Sequence, residues 1–178
     1  MIWVLTGTGA FGFLFLFEYH KCLSVRKERR DKNPWFWVGT ILLLCSFAMM
    51  GVQSGHSSGI SFWAGLLVLA AGIVFYGAVL SVADNQGYTQ DQMKIPVSRR
   101  GMYGWMRHPG VWSFLVCVLG YGMMFPRAIG GAMWFAFLNF IYTWFQDRYF
   151  FPVYLEGYEQ YRKEVPYLFP KKPDTSDR

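Results

Sequence analysis

Arg107-His108-Pro109 puts a guanidinium, an imidazole and a proline in a row. Proline suits the first turn of a helix, where its missing N–H costs nothing. His108 would then stand at a helix entrance, where free N–H groups and the helix dipole favour an anion. Arg107 adds a planar donor pair that matches a carboxylate or phosphate. A blander reading is a polar cap whose Arg snorkels to lipid phosphates. Gln146-Asp147-Arg148 directly follows an apolar run. A carboxylate at a bilayer boundary is costly unless paired or solvated, and Arg107 or Arg148 is the obvious partner for Asp147. Glu156 to Val165 reads as a short amphipathic helix that stops before Pro166. In it Tyr158 and Tyr161 are three apart and share a face. Chemistry is therefore expected in two polar stretches, Asp84–Pro109 and Gln146–Pro170.

The elements that must hold these stretches are apolar. The chain has 178 residues, 53% hydrophobic, 20% aromatic and 16% charged. A soluble domain carries about 25% charged residues, and a deficit gathered into long apolar runs means membrane. Five apolar segments stand out, at Ile2–Tyr19, Trp35–Val52, Ile60–Ala83, Val111–Phe125 and Ala128–Phe145. The first three approach the roughly 20 residues that a bilayer core needs. The last two are shorter and separated only by Pro126-Arg127, which predicts a C-terminal helical hairpin. The expected fold is an all-α polytopic bundle of about five membrane segments. It forms one domain over residues 1–170, with a polar tail at 171–178.

Lys and Arg counts predict the orientation. The first loop holds Lys21, Arg26, Lys27, Arg29, Arg30 and Lys32, and the third holds Lys94, Arg99, Arg100 and Arg107. The tail holds Arg148, Arg162, Lys163, Lys171, Lys172 and Arg178, whereas the second loop, Gln53 to Gly59, holds none. The bare loop is expected outside, together with the N-terminus, and the basic loops and C-terminus in the cytoplasm. The net charge of +6 then reads as orientation and contact with anionic membrane lipids, not as nucleic-acid binding. Cys22, Cys45 and Cys117 have no metal-ligand or redox spacing, and Cys45 and Cys117 are expected to be packed thiols. Ile2–Phe17 lacks the basic start and small-residue cleavage site of a removable signal. The eight tryptophans cluster near segment ends, as an interfacial belt would.

Taken in order, Gly101/Tyr103, Arg107-His108-Pro109, the hairpin, Gln146-Asp147, Tyr158/Tyr161, Val165-Pro166 and Pro170 form a pattern. Over Ser98 to Pro170 it resembles the isoprenylcysteine carboxyl methyltransferase family, which includes related bacterial phospholipid methyltransferases. The resemblance implies a membrane-embedded methyltransferase that uses S-adenosylmethionine and a lipid or lipid-linked acceptor. It implies that Tyr103, Arg107, His108, Pro109, Gly110 and Gln146 contact the cofactor. It also implies that Arg107, Gln146 and Asp147 form the reactive site, and that Tyr142 and Arg148 lie toward the acceptor. Tyr103 and Trp105 are available to stack on adenine.

The sequence departs from that pattern in places. Gln146 stands where the first of two acids is usual, Val111 where Tyr is usual, and the His expected upstream of Gly101 is absent. Two other readings therefore stay open. One is a non-catalytic membrane subunit that keeps the fold and binds a lipid or a protein partner. The other is a membrane reductase using a nicotinamide cofactor.

Overall fold

The computed structural model describes residues 1–27, 33–84 and 94–170. Arg29, Arg30 and Lys32 of the first loop, residues 85–93 of the first polar stretch and the tail at 171–178 lie outside the described residues.

Three long helices come first: α1 (Ile2–Arg26), α2 (Trp35–Ser54) and α3 (Ile60–Asp84). After a two-residue strand, β1 (Ile95–Pro96), and a 3-10 turn at Gly101–Gly104 comes α4 (Pro109–Met124). A second 3-10 turn, Pro126–Ala128, leads into α5 (Ile129–Phe145). The helix continues as a π-turn, Gln146–Phe150, then as α6 (Phe151–Tyr154). Strand β2 (Leu155–Glu156) and helix α7 (Tyr158–Glu164) complete the described chain.

Among the described residues, four stretches are helical, long and apolar enough to cross a membrane: Ile2–Arg26, Trp35–Ser54, Ile60–Val79 and Pro126–Tyr154. Pro109–Met124 is apolar but shorter. Its 16 residues rise about 24 Å, less than a bilayer core of about 30 Å. The fold is thus a helical bundle that fits an integral membrane protein. One expectation about the segments is corrected: the fifth is not short, because it runs through the π-turn to Tyr154. The all-α bundle carries one small strand pair. Strand β1 pairs in parallel with β2, Ile95 with Leu155 and Pro96 with Glu156. That small ladder ties the chain before α4 to the chain after α5.

Helix α1 packs on α2 and α5, and α4 lies between α3 and α5. A Cβ on Gly65 would sit 2.7 Å from the carbonyl oxygen of Gly120, and one on Gly120 would sit 2.5 Å from the Leu69 nitrogen. Only glycine lets the backbones of α3 and α4 approach this closely. Phe11, Leu14, Met50, Val118, Tyr121, Ala132, Phe135 and Tyr142 form the apolar centre. The loop between α2 and α3 is pinned to the end of α4, because Ser57 donates through its N–H to Met124 and through its hydroxyl to Met123. The start of α4, the end of α5 and the last turns of α1 therefore share the opposite end of the bundle, where the polar residues gather. Among the cysteines, Cys22 is buried, but Cys45 is exposed on α2 and is not a packed thiol.

Candidate functional site

Asp147 is the centre of the first polar cluster. Its side chain projects from the π-turn and is buried. Arg107 Nε lies 2.9 Å from Oδ1, and Nη2 donates to Oδ2 at 3.3 Å. His108 Nε2 is 3.1 Å from Oδ1, and the Tyr158 hydroxyl donates to the same oxygen at 2.7 Å. The entrance of α4, 40 residues upstream at Arg107, and α7, 11 residues downstream at Tyr158, thus converge on one carboxylate. The expected pairing of Asp147 is met by Arg107 and not by Arg148, which is exposed. Neighbouring residues on a helix point in different directions, so Arg148 is badly placed to reach across.

The cluster is locked from the C-terminal side. Arg107 and His108 donate their backbone N–H groups to the carbonyls of Pro166 and Tyr167, at 3.0 and 3.2 Å. Arg107 Nη1 donates to the Arg162 carbonyl at 2.5 Å. The Tyr161 hydroxyl donates to the Tyr103 carbonyl at 2.6 Å. The expected amphipathic helix is therefore α7, beginning at Tyr158 after Gly157, whose φ of 76° suits glycine. Its two tyrosines are buried into the site. Glu156 belongs to β2 and not to this helix.

His108 is the N-cap of α4, with Pro109 at the first helical position, as the sequence implies. Its ring does not cap the helix. It stacks on Phe151 with centroids 5.6 Å apart and packs on Tyr167 at 4.8 Å. Burial holds this imidazole below its ordinary range, against the opposing pull of Asp147. A neutral ring must carry its proton on Nε2 to donate to Asp147. Burial also raises the phenols of Tyr158, Tyr161 and Tyr167, so all three remain donors near neutrality.

A second polar cluster lies on the other side of the π-turn, and the sequence reading missed its centre. Glu18 of α1 is only 2% exposed. It accepts hydrogen bonds from Tyr142 at 3.1 Å, Gln146 Nε2 at 2.6 Å and Tyr154 at 2.8 Å. Lys21 Nζ stands 3.8 Å over the Tyr154 ring, and the Cys22 thiol faces the Phe150 carbonyl at 3.8 Å. The signal was present in the sequence. Glu18 is a lone acid in a long apolar run, and an intramembrane acid is by default a functional position.

The π-turn makes the two clusters possible. Phe151 donates its N–H to the Gln146 carbonyl, five residues back. Pro152 cannot donate to Arg148, which breaks the α pattern there. In an unbroken helix the twelve residues from Tyr142 to Tyr154 would turn about 120°. Absorbing one residue in the π-turn leaves about 20°, so Tyr142 and Tyr154 both face Glu18. Consecutive side chains then diverge, with Gln146 reaching α1 and Asp147 reaching α4.

Of the expected site residues, Tyr103, Arg107, His108, Pro109, Asp147, Tyr158 and Tyr161 come together. Gly110 follows in the same turn, with its Cα side against Tyr76. Tyr142 and Gln146 belong instead to the Glu18 cluster, and Arg148 belongs to neither. Trp105 stays 63% exposed beside the site. Two buried polar atoms there make no aligned hydrogen bond, Arg107 Nε, close as it is to Asp147, and Ser98 Oγ. No family model, curated protein or solved structure matches this chain.

Proposed function

We propose that the protein is an integral membrane methyltransferase that uses S-adenosylmethionine and acts on a lipid or lipid-linked acceptor at the cytoplasmic face. One observation carries the reading: two polar stretches that resemble those of membrane methyltransferases meet in one buried site at one end of the bundle. In this reading the α2–α3 loop and the N-terminus face outward, five segments cross or enter the bilayer, and the site opens to the cytoplasm.

The donor set fits a ligand carboxylate. Arg107 and His108 stand together at the start of α4, and Arg107 Nε has a buried N–H left without an aligned acceptor. When bound, S-adenosylmethionine supplies a methyl group on a sulfonium, which an already nucleophilic acceptor can displace. What remains for the protein is alignment and exclusion of water. Arg107 holds the anionic end, with Asp147 keeping the planar guanidinium oriented. The exposed ring of Trp105 offers a stacking face. The apolar walls of α4 and α5 lie against the lipid, from which an acceptor tail would enter.

A second reading has its own support. Asp147 and the Arg162 carbonyl already engage Arg107, and the backbone N–H groups at the helix entrance are taken by Pro166 and Tyr167. A site so well satisfied also suits a non-catalytic membrane subunit that binds a lipid or a protein. Calorimetry with S-adenosylmethionine on the detergent-solubilised protein separates the two. Binding tighter than about a millimolar dissociation constant is expected for the enzyme. Arg107→Ala should weaken it roughly tenfold to a hundredfold, and Arg107→Lys should restore only part, because an ammonium lacks the planar fork. No binding by the wild-type protein would favour the subunit. In intact cells expressing the protein without its three native cysteines, Ser57→Cys should label from outside and Lys163→Cys only from the cytoplasm.

A further inference from the structure

At the polar end of the bundle, helix α1 makes its polar contacts to the α5–α6 segment around the π-turn. Glu18 takes hydrogen bonds from Gln146, the first residue of the turn, and from Tyr142 and Tyr154 on either side of it. Cys22, one helical turn further along the same face of α1, faces the Phe150 carbonyl, and Lys21 covers the Tyr154 ring. Among the described residues no Lys, Arg or His nitrogen lies within 4 Å of the Glu18 carboxylate. Its hydrogen bonds come from three neutral donors, and the turn brings those donors onto one face. A regular α-helix would swing Tyr154 about 100° away and leave the carboxylate short of a donor.

We infer that Glu18 is a positioning residue for Asp147: by gripping Tyr142, Gln146 and Tyr154 from α1, it holds the chain in the π register that aims Asp147 at Arg107 and His108. The function lies in the register. Loss of the extra residue's displacement would rotate Asp147 by about a quarter turn relative to Tyr158 and α7, which bind it from the C-terminal side. This inference concerns the site of the proposed reaction, but it stands on geometry that needs no cofactor.

The test reads His108 directly. The chain has three histidines, His20, His56 and His108. Imidazole 15N resonances of the full-length protein in detergent are assigned with His108→Gln. Asp147→Asn defines the signal of a His108 that has lost its ionised partner. Glu18→Ala is expected to move the His108 resonances in the same direction, while those of His56, at the opposite end of the bundle, stay in place. Glu18→Gln, which keeps an acceptor for the tyrosines, should return them part of the way. Deleting Arg148, an exposed residue of the π-turn, should displace His108 similarly, and combining it with Glu18→Ala should add little. If Glu18→Ala does not fold, Tyr154→Phe removes one of the three grips and should give a smaller shift of the same sign. A Glu18→Ala or Tyr154→Phe protein that melts earlier but keeps the wild-type His108 resonances would overturn the inference, because Glu18 would then only stabilise the bundle. In protein that binds S-adenosylmethionine, Glu18→Ala should also weaken it about tenfold. Wild-type protein that binds none, with His108 still responding to Glu18, would overturn the methyltransferase reading and leave the positioning role standing.

Discussion

Asp147 and Glu18 are both buried carboxylates on either side of one helical turn, and their charges are met differently. Asp147 faces a guanidinium, an imidazole and one phenol. Glu18 faces two phenols and an amide. An ion pair in a dry site is robust to the loss of one hydrogen bond but not to the loss of a charge. A carboxylate hydrogen-bonded only by neutral donors is vulnerable to each donor, because the nearby Lys21 stands over the Tyr154 ring and makes no ion pair with Glu18. The first arrangement suits a site that meets a charged ligand, since it keeps a cation oriented. The second suits a joint that has to hold one geometry.

The largest expected effect breaks the charge on the Asp147 side. Asp147→Asn keeps the shape and leaves Arg107 as an uncompensated buried cation, which should cost about 3–5 kcal/mol. Thermal unfolding in detergent should show it, and a midpoint unchanged from wild type would mean that Asp147 is in contact with water.

A pair of hydroxyl deletions sharpens the comparison. Tyr154→Phe removes one of three neutral donors from Glu18 and should cost about 1.5–3 kcal/mol, the range for bonds to charged groups. Tyr158→Phe removes a donor from a carboxylate that keeps Arg107 and His108, and should cost nearer 0.5–1.5 kcal/mol. Chemical denaturation of the two variants side by side tests the order. The reverse order would show that Glu18 is neutralised in some other way.

The smallest effect is in the pH dependence. The His108 imidazole sits below its ordinary value of 6.5 because it is buried. Below that pH the unfolded chain takes up a proton that the folded site resists, so stability should fall as pH drops from about 6.5 and be insensitive above it. His108→Gln should flatten that acid slope. A slope of opposite sign, with stability gained on acidification, would mean that Asp147 outweighs burial and that the pair is charged.

Much of the site was legible before the fold. Pro109 marks a helix start wherever it occurs after a polar turn, and the cost of a carboxylate beside an apolar run demands a cation for Asp147. Even the choice of Arg107 over Arg148 follows from helix geometry, because adjacent residues do not face each other. The lone Glu18 was equally visible, as an acid with no local partner. Its partners were not visible, because Tyr142, Gln146 and Tyr154 are more than 120 residues away in sequence.

The sequence by itself determined the apolar helices, the hairpin at Pro126 and the concentration of polar residues in two stretches. Those follow from solvent transfer and from proline's missing donor, both of which act residue by residue. Tertiary structure decided the rest: the parallel bridge of Ile95 and Leu155, the burial of Tyr158 and Tyr161, and the wide turn at Gln146. Pro152 announces that the α pattern must break near Arg148. Whether the break becomes a kink or a π-turn depends on which side chains wait on α1 and α4, and those are brought into reach only when the helices pack.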